Sequence, residues 1–266
     1  MKNNPWNKRD WSNHPDLIYQ DYKSTILRNP QNPLKKLNNF NEIPGPKFES
    51  FSIRSIDSDL TLNAKKNHNP IGERIIVLGQ VKDEFGKPVP NCLIEIWQAN
   101  SAGRYIHREE IHDAPLDPNF LGAGMTLTDK NGDYKFTTIK PGSYPWGNHY
   151  NAWRPAHIHF SIYGRSFVDR LVTQMYFEGD PLFKYDPIFN SVPDKKAQDR
   201  LIAKFSIEKT IPEFGNFGNS DKAIFHSFHL RCIKKTLRDS TDANKSVLFK
   251  EDDRSLFSLI IVLMIK

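Results

Sequence analysis

The sequence has little cysteine and almost no long apolar run, and both shortages exclude whole classes of protein. Cys92 and Cys232 are the two cysteines among 266 residues, and their separation fits neither a metal-binding nor a redox motif. We therefore predict two buried, reduced thiols and a reducing compartment. The N-terminus has no apolar segment typical of a secretory signal. The longest apolar run, residues 256–265, is half the length of a membrane helix, which needs about 20 residues. These features predict a soluble, cytoplasmic protein with no membrane partner.

The sequence also lacks an excess of positive charge in its central region. The chain carries 37 Lys and Arg against 31 Asp and Glu, a formal net charge of +6. Residues 71–232 hold 19 basic and 19 acidic side chains, so the excess lies at the two ends. Because nucleic-acid-binding domains present a strongly basic surface, we expect no nucleic-acid partner.

The hydrophobic pattern predicts an all-β fold, an antiparallel β-sandwich with an extended N-terminal arm and one short helix. Apolar or alternating patterns typical of strands occur at 75–81, 92–98, 133–139, 156–163, 170–177 and 223–233. Asp-Lys-Asn-Gly at 129–132 predicts a hairpin turn. The one helical pattern covers 194–205, with Asp194 near its start.

The residues most suited to chemistry form an H-x-H pair, His157 and His159. Side chains two apart in a strand point the same way, so both imidazoles can reach one metal ion. The pair alone also fits two histidines that line a polar pocket. No Asp or Glu occurs between Asp133 and Asp169, so a zinc site or a two-histidine, one-carboxylate iron site would need a ligand from elsewhere.

Tyrosine is the anionic ligand that this stretch offers. A free phenol has a pKa near 10, so binding a metal at neutral pH must lower it by about 3 units, or about 4 kcal/mol. A hard trivalent ion supplies this free energy more readily than Zn²⁺ or Fe²⁺, and tyrosinate on ferric haem is a precedent. Two histidines with tyrosinate therefore favour Fe(III).

Four motifs together resemble the intradiol ring-cleavage dioxygenases. They are NSAGRY at 100–105, PGSYPWGN at 141–148, WRPAHIHF at 153–160 and LVTQMYFEGDPL at 171–182, and the resemblance extends over residues 6–235. It implies a non-haem Fe(III) held by Tyr105, Tyr144, His157 and His159. It further implies catalytic roles for Tyr144 and Arg154, and a substrate pocket formed by Tyr22, Trp146, Arg154, Gln174 and Ile188.

The resemblance also implies an activity, a partner and a domain plan. The activity is O₂-dependent cleavage of protocatechuate to 3-carboxy-cis,cis-muconate, and the partner is an α-type subunit of the same fold. Residues 1–70 would form the arm, 71–237 the iron-binding sandwich and 238–266 a C-terminal extension of unknown role. Two alternatives stay open: cleavage of another catechol or hydroxyquinol, and a non-catalytic β-sandwich partner subunit.

Overall fold

Short strands dominate the part of the chain that the computed structural model describes, namely residues 15–29, 53–83, 85–107, 110, 112–163, 170–210 and 222–229. The strands are β1 Arg74–Lys82, β2 Leu93–Gln98, β3 Ala123–Leu127, β4 Asp133–Ile139, β5 Tyr144–Pro145, β6 Trp153–Arg154, β7 His157–Tyr163, β8 Arg170–Phe177, β9 Ile202–Phe205 and β10 Lys222–His229. The α-helices are α1 Ser24–Arg28, α2 Pro187–Asn190 and α3 Lys195–Arg200, with 3₁₀ turns at Ser55–Ser58 and Phe183–Tyr185. The all-β prediction is confirmed.

The larger strands form a sandwich whose two halves share strand β9. The strand order is β3-β2-β7-β8-β9-β10-β1-β4, while β5 and β6 pair separately. The described pairings are antiparallel except β1 with β10 and β8 with β9. Alternate side chains of β1, β2, β4 and β7 fill the core. Its members include Ile75, Val77, Ile94, Ile96, Phe136, Ile158, Phe160 and Ile162.

The predicted hairpin at 129–132 is wrong, although the turn itself forms. The Asp129 side chain accepts the N–H groups of Asn131 and Asp133, and Gly132 has a φ of 74°. The strands on either side do not pair with each other, since β3 pairs with β2 and β4 pairs with β1. The turn therefore connects the two halves of the sandwich, because turn chemistry fixes a local bend and leaves the strand partner open.

The helix predicted over 194–205 is correct in its first half only. Asp194 caps α3 by accepting the N–H of Lys196, and α3 ends at Arg200. Ile202–Phe205 forms strand β9, where Ile202 pairs with Tyr176 of β8. Residues 202–205 pair with β8 on one side and with β10 on the other. These hydrogen bonds of the sheet favour a strand, although the spacing of the apolar residues is that of a helix. The short helices α1 and α2 had no sequence prediction.

Segments outside the strands also contact the sandwich. Leu60 is fully buried in the core, and its N–H donates to the carbonyl oxygen of Thr137 at 2.9 Å. Cys92 is a buried free thiol, as predicted. Burial raises the pKa of this thiol to about 12. Cys232 and residues 238–266 lie outside the described residues, and the domain boundaries stay predictions. Among the described residues, no helix has the length and apolarity needed to cross a bilayer.

Candidate metal centre

Strand β7 separates the hydrophobic core from a second, more polar cluster. Its even-numbered residues, such as Ile158 and Phe160, pack into the core, while His157 and His159 face the opposite way. In the register, His159 lies between Trp97 of β2 and Gln174 of β8. Trp97 stacks on the His159 ring with centroids 4.9 Å apart and an interplanar angle of 8°. The packed neighbours therefore fix the direction of the imidazole.

Two loops bring Tyr105 and Tyr144 to the same place. Each tyrosine follows a glycine by two residues, and the two glycines, Gly103 and Gly142, lie against each other's loop. A Cβ on Gly103, whose φ is 79°, would clash with the carbonyl oxygen of Ser143. A Cβ on Gly142 would lie 2.6 Å from the backbone nitrogen of Gly103. The loops thus approach backbone to backbone, and the phenol rings meet edge to face at 5.5 Å.

The four side chains bring two phenol oxygens and two imidazole nitrogens together. His159 Nε2 lies 3.2 Å from Tyr105 Oη and 3.2 Å from His157 Nε2, which lies 3.4 Å from Tyr144 Oη. All four residues are buried. Within the described segments, no group of three or more His, Cys, Asp and Glu residues could bind a metal. A cation at this point would therefore be bound by two nitrogens and two phenol oxygens.

Hydrogen bonding and burial fix the protonation of the imidazoles. His157 Nδ1 lies 2.7 Å from the carbonyl oxygen of Pro155, so Nδ1–H donates and the Nε2 lone pair faces the cluster. Burial lowers the pKa of His157 well below its usual value, and the positive charge of Arg154 lowers it further. The same two causes lower the pKa of His159 to about 3. Both rings are therefore neutral at physiological pH.

Burial also keeps the Tyr105 and Tyr144 phenols neutral, but it does so by raising their pKa values. Burial raises the pKa of Tyr105 and of Tyr144 above the ordinary value, and nearby Arg154 opposes the rise in each case. Without a further positive charge, both phenols keep their protons at neutral pH. A bound cation would supply that charge and favour the phenolate form.

Arg154 lies beside the cluster and is completely buried. It pairs with Tyr144 across β5 and β6, and its guanidinium lies 5.6 Å from the Trp146 ring. Its Nη2 donates to Gln174 Oε1, and its Nε lies 3.2 Å from both carboxylate oxygens of Asp186. Its third nitrogen, Nη1, has no partner among the described residues, and neither has Trp146 Nε1. Two buried donors without partners are typical of a site that binds a ligand.

The remaining predicted pocket residues also lie here. Tyr22 and Trp146 pack with their ring centroids 5.5 Å apart, and Ile188 packs against the same aromatic cluster. Tyr22 belongs to the segment before α1. The Asn148 side chain holds this segment through two hydrogen bonds to its backbone. The structure thus brings together all nine residues that the sequence singled out.

The sequence prediction missed Asp186 and Tyr176. Asp186 precedes Pro187, and an acidic residue before proline is a signal for the start of a helix. That signal could have located the helix cap but not its contact with Arg154. Tyr176 lies opposite His157 in the β7–β8 register, two residues after Gln174. Strand alternation alone would have placed it on the face of the sheet that carries the histidines.

Two family models match this chain. A family model described as "Dioxygenase" matches residues 43–221. A second, described as "Protocatechuate 3,4-dioxygenase beta subunit N terminal", matches residues 8–38.

Individual relatives give the same result. The chain is 56% identical over 203 residues to the protocatechuate 3,4-dioxygenase beta chain of Burkholderia cepacia, which covers 76% of this chain and 86% of that one. It is 31% identical over 168 residues to the intradiol ring-cleavage dioxygenase hqdA of Aspergillus niger, covering 58% of this chain and 46% of the relative. The crystal structure of 3-chlorocatechol 1,2-dioxygenase from Rhodococcus opacus 1CP shares the fold, with a TM-score of 0.51, 24% identity and coverage of 79% and 76%. The chain belongs to the intradiol ring-cleavage dioxygenase family.

Proposed function

We propose that this chain is the catalytic, iron-bearing subunit of an enzyme that cleaves protocatechuate with O₂. The ring would open between the two hydroxyl-bearing carbons to give 3-carboxy-cis,cis-muconate. The observation that carries the proposal is a continuous series of contacts, each 3.2 to 3.4 Å long, from one phenol oxygen through two imidazole nitrogens to a second phenol oxygen. The choice of substrate rests on the 56% identity to a protocatechuate 3,4-dioxygenase beta chain.

The donor atoms fit non-haem Fe(III), with Tyr105, Tyr144, His157 and His159 as ligands. Ionising each buried phenol at neutral pH takes at least about 4 kcal/mol, which a trivalent ion supplies more readily than a divalent one. Structural zinc favours cysteine and histidine, and the common Fe(II) site combines two histidines with a carboxylate, whereas no group of three or more His, Cys, Asp and Glu residues among those described could hold a metal. The Nδ1–H donation from His157 to Pro155 supports the tautomer that a metal ligand needs.

The surrounding residues would bind the substrate and stabilise charge. Fe(III) held by Tyr105, Tyr144, His157 and His159 would supply Lewis acidity, which lowers the electron density of a bound catechol and makes the organic substrate reactive toward O₂. Tyr144 Oη would accept a proton from a catechol hydroxyl. Arg154 would direct its free Nη1 at negative charge that develops on the ring, in a site where burial strengthens the interaction.

The aromatic and apolar residues would shape the pocket. Trp146 and Tyr22 form one wall, and Ile188 contributes an apolar contact to the same cluster. Gln174 would orient the substrate and hold Arg154 through its Oε1. Tyr22, Trp146 and Gln174 are buried and Ile188 is partly buried, so together they would keep water from the reacting ring.

A partner subunit belongs to the proposal. The match of residues 8–38 to a beta-subunit N-terminal model supports an α-type partner of the same fold. The segment before and within α1 leaves Leu17, Ile18 and Leu27 exposed, by 68%, 49% and 88%. We propose that the partner covers these side chains in a cytoplasmic hetero-oligomer.

The test is O₂ uptake by this chain co-expressed with its α-type partner. Protocatechuate, catechol and hydroxyquinol are compared at equal concentration, and iron is measured in the same sample. We expect stoichiometric iron and the highest kcat/KM with protocatechuate. A higher kcat/KM with catechol or hydroxyquinol would overturn the substrate assignment. Protein without iron and without O₂ uptake would indicate the non-catalytic subunit instead.

A further inference from the structure

Asp186 and Arg154 form an ion pair in which both side chains are completely shielded from solvent. A buried charge is costly unless a partner compensates it, so each side chain depends on the other. Arg154 belongs to the proposed site, whereas Asp186 lies 32 residues further along the chain, and its hydrogen bonds within the described segments go to Arg154, Tyr176 and Ile188 rather than to a proposed iron ligand. Its place in the function therefore needs a separate explanation.

The same carboxylate also caps helix α2. Asp186 Oδ1 accepts the N–H of Ile188 at 3.0 Å, and Pro187 occupies the first helical position. Ile188 packs against the aromatic cluster that includes Tyr22 and Trp146. One side chain thus fixes both a charged and an apolar member of the proposed pocket.

The hydrogen bonds around Arg154 leave one direction open. Its Nε side is bound by Asp186, and its Nη2 contacts Gln174 and lies 3.2 Å from the Tyr176 hydroxyl. Tyr176 Oη in turn lies 3.3 Å from Asp186 Oδ2. The carboxylate of Asp186, the phenol of Tyr176 and the amide of Gln174 therefore form one hydrogen-bond network around the guanidinium. Nη1 is the nitrogen without a partner among the described residues.

We infer that Asp186 is a positioning residue of the proposed ring cleavage: it orients Arg154 so that Nη1 is available to the substrate, and its cap places Ile188 in the same pocket. The inference rests on the proposed function. Asp186 would affect kcat because it orients Arg154, and it would affect KM to a smaller extent because it positions Ile188.

Two substitutions separate these effects. Asp186→Asn keeps the size of the side chain and an oxygen that can cap Ile188, but it removes the charge that holds Arg154. We expect kcat to fall about tenfold to a hundredfold, less than the roughly 100- to 1,000-fold loss for removing an oriented donor, because Arg154 stays and loses only its orientation; KM should change less than about threefold. Asp186→Ala removes the cap as well, and we expect KM to rise in addition.

The chain offers a matched control in Asp194. It caps α3 through the same contact, since its Oδ1 accepts the N–H of Lys196 at 3.0 Å, and in the described part of the chain it forms no ion pair with an arginine. Asp194→Asn should leave kcat and KM unchanged. Iron content and melting temperature are measured for every variant, so that loss of fold is distinguished from loss of turnover.

A double-mutant cycle tests the route through Arg154 and remains informative if Asp186→Asn folds poorly. In an Arg154→Gln background, Asp186→Asn should lower kcat no further and should raise the melting temperature, because no lone buried charge remains. An active wild type with Asp186→Asn within twofold of its kcat, or an equal loss of kcat in the Arg154→Gln background, would overturn the inference. A wild type that cleaves none of the three catechols would instead overturn the proposed function.

Discussion

Asn148 holds the backbone on both sides of Tyr22. Its Oδ1 accepts the N–H of Lys23 at 3.0 Å, and its Nδ2 donates to the carbonyl oxygen of Asp21 at 2.6 Å. Asn148 follows Trp146 by two residues, and Trp146 contacts the Tyr22 ring. The loop of the proposed centre and the N-terminal segment are thus joined by two hydrogen bonds from the Asn148 side chain to the backbone, as well as by aromatic packing.

Replacing Asn148 should weaken substrate binding more than turnover. Asn148→Ala removes two hydrogen bonds, a loss of about 2 kcal/mol of unfolding free energy, and releases the Tyr22 segment. We expect KM for protocatechuate to rise about tenfold, with kcat changed less, because the proposed charge-stabilising Arg154 is untouched. Steady-state O₂ uptake measures both.

Asn63→Ala is the control for this substitution. Asn63 Nδ2 donates to the carbonyl oxygen of Ala123 at 2.7 Å, so it also joins distant segments, but away from the proposed pocket. It should lower the melting temperature without raising KM. A KM unchanged in Asn148→Ala would mean that the Tyr22 segment keeps its place without the amide.

Each proposed tyrosine ligand should contribute to the colour of the iron-loaded protein. A phenolate bound to Fe(III) absorbs visible light by charge transfer, so we expect red-brown protein and a weaker, shifted band in Tyr105→Phe and Tyr144→Phe. Tyr134→Phe is the control, since Tyr134 is equally buried but lies in the hydrophobic core. Identical spectra for all three variants, or colourless protein with stoichiometric zinc, would contradict the ligand assignment.

Iron retention should increase with pH through the tyrosines alone. Burial raises the pKa of Tyr105 and Tyr144, so both are protonated in the iron-free protein and each releases a proton on binding. The pKa of His157 is lowered by burial and that of His159 is about 3, so neither imidazole releases a proton between pH 6 and 8.

Competition with a chelator over this pH range measures the proton count. Corrected for the chelator's own protonation, the iron affinity should rise with a slope near two protons per iron in the wild type and near one in either tyrosine variant. Tyr134→Phe should keep the wild-type slope. A wild-type slope that steepens below pH 7 would show that the histidines titrate and would contradict the prediction.

The glycines between the tyrosine loops should tolerate no side chain. Gly103→Ala places a Cβ against the Ser143 carbonyl oxygen at a φ of 79°, and Gly142→Ala places one 2.6 Å from Gly103 N. We expect each to cost about 3 kcal/mol and to lower iron content, because the backbones must separate. Gly86→Ala is matched in φ, at 78°, but meets nothing within 4 Å, so it should cost about 1 kcal/mol and leave iron unchanged. Metal analysis with thermal unfolding compares them.

Local patterns predicted most strands and the shared side of the two histidines, the family resemblance supplied the other proposed iron ligands, and long-range partners escaped prediction. Strand β7 was recognisable because its apolar and histidine residues alternate, and that alternation also fixed the common side of His157 and His159. The turn at 129–132 was correct, but its strands pair elsewhere. Ile202 and Phe205 have the spacing of a helix, yet they form a strand because this segment pairs with both β8 and β10.

The contact between Asp186 and Arg154 shows the same limit within the site. Asp-Pro indicates a helix start from two adjacent residues, and α2 begins there. The arginine is 32 residues away, and only the folding of β6 and α2 beside β8 brings the charges together. Interactions of this kind depend on the whole fold, so a single sequence does not encode them in any short pattern.

The facing glycines have a consequence for recognising inactive paralogues. The same tripeptide motif, Gly-x-Tyr, occurs in two loops that contact each other, as Gly103-Arg104-Tyr105 and as Gly142-Ser143-Tyr144. A gene duplicate that kept both tyrosines and both histidines but replaced either glycine would still match a ligand-based search. Its phenols would nevertheless be held apart, so we expect it to be an inactive protein that keeps all four proposed ligands. Screening for the two glycines together with the ligands would separate such copies from working enzymes before any protein is made.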